Sequence, residues 1–395
     1  MKIPESVGVV AFGLKSDIIT FDDDIKDVLK NTIKKDENVI ENNDILCITE
    51  AVVAITQKNV IKIDEVTQEI KEKLNLQEDS TIGVVHPILS RNRFSMILRA
   101  IARSVPKGKV IVELKFKDDE QGNPITTKET LNELGKSFDD MITTTELEGK
   151  RYKHPETGMD YIAFYEKIIK EEGADAEIFL GNSTTFMTDK KPDAIIVSNV
   201  HERVELQEKI KEKGFSNVIT LKDIMSDETK EVYSEYGLLG SNILDFEKEQ
   251  LKLCPKNADD VCEEIKEMIK KEFEKDVDVI INGDGAYKDP ESGIYELADP
   301  VSAFGCTKGI KNRNRLGVKT KYLMQKYYNE GLNKEEIAKL IEQEKQKFLA
   351  KKEKEGFAAQ GTTPRKIENL VSSLADLITG SGDANTPFVI VRNFI

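Results

Sequence analysis

The chain lacks any apolar run approaching the roughly 18–20 residues that a membrane-spanning helix needs, so no such helix is expected. Cysteine is scarce. Cys47, Cys254, Cys262 and Cys306 are widely scattered through 395 residues, which reads as reduced core thiols rather than a disulfide framework or a zinc site. The first residues, MKIPESVGVV, hold one lysine, an early proline and no long apolar stretch, unlike a secretory signal, so a cytoplasmic protein is expected. Positive charge is in deficit. With 58 Lys and Arg against 72 Asp and Glu, the net charge is −14, which argues against non-specific nucleic-acid binding because that affinity rests on neutralising phosphates. A local basic pocket for a small phosphorylated ligand remains compatible with it. No internal repeat is found.

What is present is the composition of a globular protein, 39% hydrophobic and 33% charged, at a length that calls for two or three domains. β-branched runs predict strands at 7–15, 45–49, 60–63, 82–89 and 109–116, with helices at 23–33 and 94–104. Between the strands at 45–49 and 60–63 lies a small-residue connection. Residues 117–160 are polar and punctuated by Gly and Pro, so a surface excursion with one short helix is expected. A β-α-β pattern resumes with strands at 176–182, 193–199 and 217–221 and a helix at 202–214. Helices at 256–275, 319–354 and 365–379 and a final strand complete the chain. The 319–354 helix carries Leu340, Ile341 and Phe348 on a narrow stripe, which suggests a lever or clamp on the surface.

Four segments bear chemistry. In 49–61, Thr49, Thr56, Gln57 and Lys58 sit at strand ends or in the joining turn; Lys58 fits either a phosphate point charge or a solvated turn lysine. In HPILSRNRF (86–94), Ser90, Arg91, Asn92 and Arg93 lie between a strand and a helix. Backbone N–H groups, the positive end of the helix dipole and two guanidiniums would together make an anion site, the alternative being a Ser cap beside two surface arginines. His86 fits a structural or a catalytic role equally. Asn182, Ser183 and Asn199 end strands, where they suit either ligands or helix caps.

The third segment, DVIINGDGAYKDPESGIY (278–295), ends a strand in glycines and acids. Asp284, Asp289 and Glu291 are hard oxygen donors suited to Mg²⁺ or Mn²⁺, and Gly283 and Gly285 allow close backbone approach to a ligand. NGDG is neither a P-loop nor a dinucleotide fingerprint. The fourth, TGSGDANTP (379–387), places Asp383 in a Gly-rich loop, longer than a helix C-cap and turn require.

At these segments the chain resembles the coenzyme F420-0:L-glutamate (γ-glutamyl) ligase family. NDILCITEAVVAITQKNVIKIDE is similar to that family's early strand–turn–strand segment. VDVIINGDGAYKDPESGIYELADPVSAFGCTKGI is similar to its central strand and acidic turn, and IENLVSSLADLITGSGDANTPFVIVRNF to its C-terminal helix, Gly-rich acidic loop and strand. The resemblance covers roughly 1–115 and 276–395, a ligase-like core, and leaves 116–275 as an inserted region with a β-α-β module. It implies a mixed α/β fold, a cytoplasmic homodimer, and a GTP- or ATP-dependent, Mg²⁺- or Mn²⁺-dependent ligase. Such an enzyme forms an amide between L-glutamate and a small phosphorylated or carboxylated acceptor. By position, Lys58 corresponds to the family's nucleotide lysine, Asp284 to its metal acid, and Asp383 to its C-terminal acidic loop. Asp284, Asp289 and Asp383 are thus assigned to metal, and Lys58, Ser90, Arg91, Arg93, Gly283 and Gly285 to nucleotide and phosphate. The family's D-T-x-G turn is here Asn282-Gly283-Asp284-Gly285. Its A-G-I-D-x-S-N segment is not found, SRNRF occupying roughly that region. The missing acid motivates two alternatives: a non-catalytic scaffold for an anionic ligand or a partner, and another small-molecule phosphoryl-transfer enzyme.

Overall fold

A computed structural model describes residues 4, 6–36, 39–118, 126, 128–147, 153–154, 158–283, 299–313, 318–355, 366–379 and 385–395. The fold is α/β, with helices packed on mixed sheets.

The first sheet is built around β2 (Ile45–Thr49), whose sequence ILCIT is apolar on both faces, as a strand covered from both sides requires. β2 pairs in parallel with β12 (Asp278–Asn282) and antiparallel with β14 (Phe388–Arg392). β1 (Val10–Leu14) lies beyond β14, and β13 (Ala303–Cys306) beyond β12. Strand alternation then divides the core. Leu46 and Ile48 face α1 (Ile25–Lys34) and α9 (Ala258–Phe273), whereas Ile45 and Cys47 face α12 (Ile367–Thr379). All four cysteines are free and buried.

The second sheet has the order β6-β7-β5-β4-β8-β9. Its parallel strands are β4 (Thr81–Val85), β5 (Lys109–Leu114), β7 (Asp175–Leu180), β8 (Ala194–Val197) and β9 (Val218–Thr220), and β6 (Ile142–Thr143) is an antiparallel edge. α3 (Ile63–Leu74), α4 (Ser95–Arg103) and α6 (Tyr161–Glu171) cover one face, and α7 (Thr184–Asp189) and α8 (Arg203–Glu212) the other. From β4 the chain winds outward through β5 and β7, then returns to β8 on the other side of β4. The winding direction therefore reverses between β4 and β8, the position at which doubly wound sheets open a crevice beyond their carboxyl ends. Residues on either side of 115 share this sheet, since β5 pairs with β7 throughout its length.

A small antiparallel sheet joins these bodies, with β11 (Gln250–Lys252) between β3 (Val60–Lys62) and β10 (Asn242–Asp245). The expected connection between the strands at 45–49 and 60–63 contains a helix, α2 (Glu50–Thr56), because its apolar residues pack as about two turns against the sheet rather than extending. The expected continuous helix at 319–354 is a hairpin. α10 (Thr320–Asn329) stops at Gly331, whose φ of 86° an L side chain rarely adopts, and Asn333 starts α11 (Lys334–Glu355) by accepting from the Glu335 and Glu336 amides. Tyr327, Ile337 and Ile341 close it; the side chain of Phe348 lies outside the described residues. No described helix is long and apolar enough to cross a membrane.

Candidate functional site

The carboxyl ends of β2 and β12 lie side by side, Thr49 opposite Asn282. β14 begins at the same edge, where the Thr49 amide donates to the Pro387 carbonyl at 3.0 Å, and the Gly283 amide donates to the Ser302 carbonyl at 3.0 Å. β12 thus ends and β14 begins at this edge.

Beyond it lies a quartet of buried charge. Glu50 opens α2, where the positive end of the helix dipole favours an acid. Lys252, at the end of β11, places Nζ 2.5 and 2.6 Å from the two Glu50 oxygens. Arg93 donates through Nη1 to Asp299 Oδ1 at 2.6 Å, and Asp299 is only 1% exposed. Burial raises the Glu50 carboxyl above its ordinary range, against the pull of Lys252, and the Asp299 charge adds to the rise. Burial works to lower Lys252, but Glu50 beside it outweighs that and holds the ammonium above its ordinary value. Two acids and two bases thus neutralise one another in a place where any one of them alone would be costly. Cys254 belongs to the same neighbourhood, its thiol pushed well up by burial and by Glu50. Its carbonyl and that of Tyr233 each accept from Asn59 Nδ2 at 2.7 Å, tying the α2–β3 turn to β11.

The expected site residues distribute unevenly around the quartet. Arg93 is part of it. Ser90 supports Arg93 by accepting from its amide at 3.2 Å. Arg91 is exposed beside it, with no ionic partner among the described residues. Lys58 sits in an exposed turn 3.9 Å from the exposed Asp22, and joins that acid rather than the quartet. At Gly283 the space a side chain would need is already filled: a Cβ there would stand 2.5 Å from the Phe304 ring and 2.6 Å from Asp299 Oδ2. The glycine is thus explained by packing against Asp299. Asp284, Gly285, Asp289, Glu291 and Asp383 lie outside the described residues. Asn182, Ser183 and Asn199 have structural partners: Asn182 bridges the Phe116 amide and the Phe138 carbonyl, and Ser183 and Asn199 accept from amides that open α7 and α8.

Glu50, Lys252 and Asp299 were not singled out by sequence. One signal existed for Lys252, a lone lysine alternating with apolar residues in LKLC, on the side of the strand that must be buried. Glu50 and Asp299 carry no such mark. Among the described residues no group of three or more His, Cys, Asp or Glu is placed to hold a metal ion. Glu50 and Asp299 are each engaged by a cation, so the described residues do not by themselves make a metal site.

A family model described as F420-0:Gamma-glutamyl ligase matches residues 13–393. The chain belongs to that family. No curated protein matches it at a significant level. The match runs from β1 into β14 and through 116–275 as well as the flanking parts, so all three sheets fall within it. Membership in the F420-0:gamma-glutamyl ligase family indicates a ligase that acts on small molecules.

Proposed function

We propose that the protein is a nucleotide- and divalent-metal-dependent ligase that joins the amine of L-glutamate to a carboxylated or phosphorylated small acceptor of the F420-0 type. The observation that supports this most directly is the buried Glu50–Lys252–Asp299–Arg93 quartet beside the edge where β12 ends and β14 begins. In the reaction, the acceptor carboxylate takes the terminal phosphoryl group of GTP or ATP. The glutamate amine then displaces phosphate, forming the amide and releasing nucleoside diphosphate, phosphate and a proton. Arg93, which donates to Asp299, would lend its guanidinium to an incoming phosphate. Arg91, exposed beside it, offers a second guanidinium fork. Lys252 remains neutralised by Glu50 and fixes the floor of the site. Mg²⁺ or Mn²⁺ would be held by Asp284, Asp289 and Asp383 and would supply charge neutralisation to the phosphates. The working form is a cytoplasmic homodimer.

Calorimetric titration of GTP and ATP, with and without Mn²⁺, tests the reading together with an assay of glutamate-dependent phosphate release. Metal-dependent binding, lost in Asp284→Asn and weakened in Arg93→Ala, is expected. Nucleotide consumption without any need for an amino acid would point to a kinase instead. No nucleotide binding under either condition would leave a scaffold of the family fold.

A further inference from the structure

The carboxyl edge of the six-stranded sheet carries a second polar cluster, separate from the quartet. His86 follows β4, Ser198 follows β8, and Glu113 lies near the end of β5 opposite Val85. They therefore gather where the winding direction reverses. Glu113 and Ser198 are fully buried and His86 is 3% exposed. Among the described residues four of their atoms have no hydrogen-bond partner: both Glu113 carboxylate oxygens, His86 Nδ1 and Ser198 Oγ. Buried polar atoms are almost always paired, with protein, water or ligand, so a carboxylate, an imidazole nitrogen and a hydroxyl left over together call for a partner from outside the chain.

The backbone is arranged to keep them there. His86 has a φ of 49°, in the left-handed region that a side chain beyond glycine adopts at a cost of about 1–3 kcal/mol. That turn brings its Nε2 to 3.1 Å from the Gly181 carbonyl and 3.4 Å from Glu113 Oε1. With Nε2–H given to Gly181, Nδ1 is the nitrogen left over. A Cβ at Gly181 would stand 2.6 Å from Glu113 Oε1 and 2.9 Å from the Phe186 ring, so a side chain there would displace the carboxylate. Lys115 and Glu202, which follow Glu113 and Ser198 in the chain, pair at 3.0 Å while about one-third exposed. An ion pair that open to water contributes little, so parting it costs little.

We propose that this cluster is a binding site for the hydroxyls of a ribose or similar sugar, the class of ligand being a nucleoside. Glu113 offers two adjacent acceptors to a vicinal diol, and His86 Nδ1 and Ser198 Oγ can each meet an oxygen of the same ring. The surroundings hold charge of both signs, Glu113 with Lys115 and Glu202, so a neutral group that donates and accepts suits them better than an ion. The place matches the general rule for doubly wound sheets, in which ligands sit beyond the strand ends at the reversal of winding. The inference does not depend on the ligase reading, which rests on the Glu50–Lys252–Asp299–Arg93 quartet, although Arg93 leaves β4 in the same loop as His86.

Its test is equilibrium dialysis of adenosine, guanosine, cytidine and uridine without metal or glutamate. Each is compared with its 2′,3′-dideoxy form, against wild type, Glu113→Gln, Ser198→Ala, Lys115→Ala and Arg93→Ala. At least one ribonucleoside should bind wild type and Arg93→Ala alike. It should bind about tenfold or more weakly to Glu113→Gln, and its dideoxy form should lose as much on wild type. Ser198→Ala, a smaller change, keeps the test open should Glu113→Gln fail to fold; it should weaken binding in the same direction. Lys115→Ala should bind at least as tightly as wild type and faster. Four results would each overturn the proposal: no binding to wild type or Lys115→Ala; equal binding of the dideoxy forms; unchanged binding in both Glu113→Gln and Ser198→Ala; or binding lost in Arg93→Ala, which would assign the nucleoside to the ligase site.

Discussion

Lys252→Met tests the quartet most sharply. The substitution keeps an unbranched apolar stem and removes the terminal ammonium with its two hydrogen bonds, leaving Glu50, 8% exposed, without the cation that lies 2.5 Å from it. Removing one partner of a buried pair typically costs about 3–5 kcal/mol, because the surviving charge is stranded away from water. The loss should depend on pH, and its sign can be worked out. Burial already holds the Glu50 carboxyl above its ordinary 4.5, and losing Lys252 raises it further. A carboxyl raised in the folded state favours folding below its unfolded pKa, and that advantage disappears as pH climbs through the folded value. The variant should therefore approach wild-type stability near the ordinary carboxylate range and fall furthest behind it under mildly alkaline conditions. Glu50→Gln combined with Lys252→Met should recover most of the loss, since no charge is then buried alone. The chain has no tryptophan, so urea unfolding followed by far-UV circular dichroism is the suitable assay. A loss below about 1 kcal/mol in mild alkali, a loss that ignores pH, or a double variant no better than the single one would refute the reasoning.

Two further outcomes follow from packing and charge. Gly283→Ala should cost about 1–3 kcal/mol, because its Cβ meets the Phe304 ring at 2.5 Å and Asp299 Oδ2 at 2.6 Å, and by moving Asp299 it should also weaken nucleotide binding through Arg93. Unchanged melting and unchanged calorimetric affinity would show that residue 283 faces open space. At Glu172, burial works against the carboxylate, but Arg103 and Arg99 outweigh it and hold the group below its ordinary 4.5. A depressed carboxyl contributes stability above its unfolded pKa and loses it as pH falls through the folded value, so Glu172→Gln should reduce the acid sensitivity of the urea midpoint. Identical midpoint-against-pH curves for the two proteins would remove Glu172 from that account.

Much of the scaffold is legible in the chain because strand and helix periodicity is local. ILCIT is apolar at every position but the last, and such a run is stable only as a strand covered on both faces. The helix at 258–273 announces itself by apolar spacing, and the turn chemistry of Asn282 and Gly283 marks where β12 stops. Legibility fails where local signals compete with tertiary ones. Residues 50–56 are small and β-branched, yet they fold as a helix because packing on the sheet overrides their weak propensity. The β10–β11 hairpin, with a shift in register between Ile243 and Asp245, has too short a pattern to stand out before β3 supplies its partner.

By itself, the sequence determined the α/β class, the reduced buried thiols, the segments dense in polar and glycine residues, and the family to which the chain belongs. These follow from composition and from patterns that span a few residues or repeat along one element. Only the tertiary structure decided that Glu50, Lys252, Asp299 and Arg93 meet, since they stand up to 249 positions apart, as the numbers 50 and 299 show, and no periodicity links them. It likewise decided that Lys58 faces solvent and that the carboxylate of Glu113, an ordinary acid in a strand, is buried beside His86 with no hydrogen-bond donor among the described residues. The reason is the same in each case. A side chain's charge is written in the chain, but whether that charge is solvated, paired or stranded depends on which distant surfaces the fold closes over it.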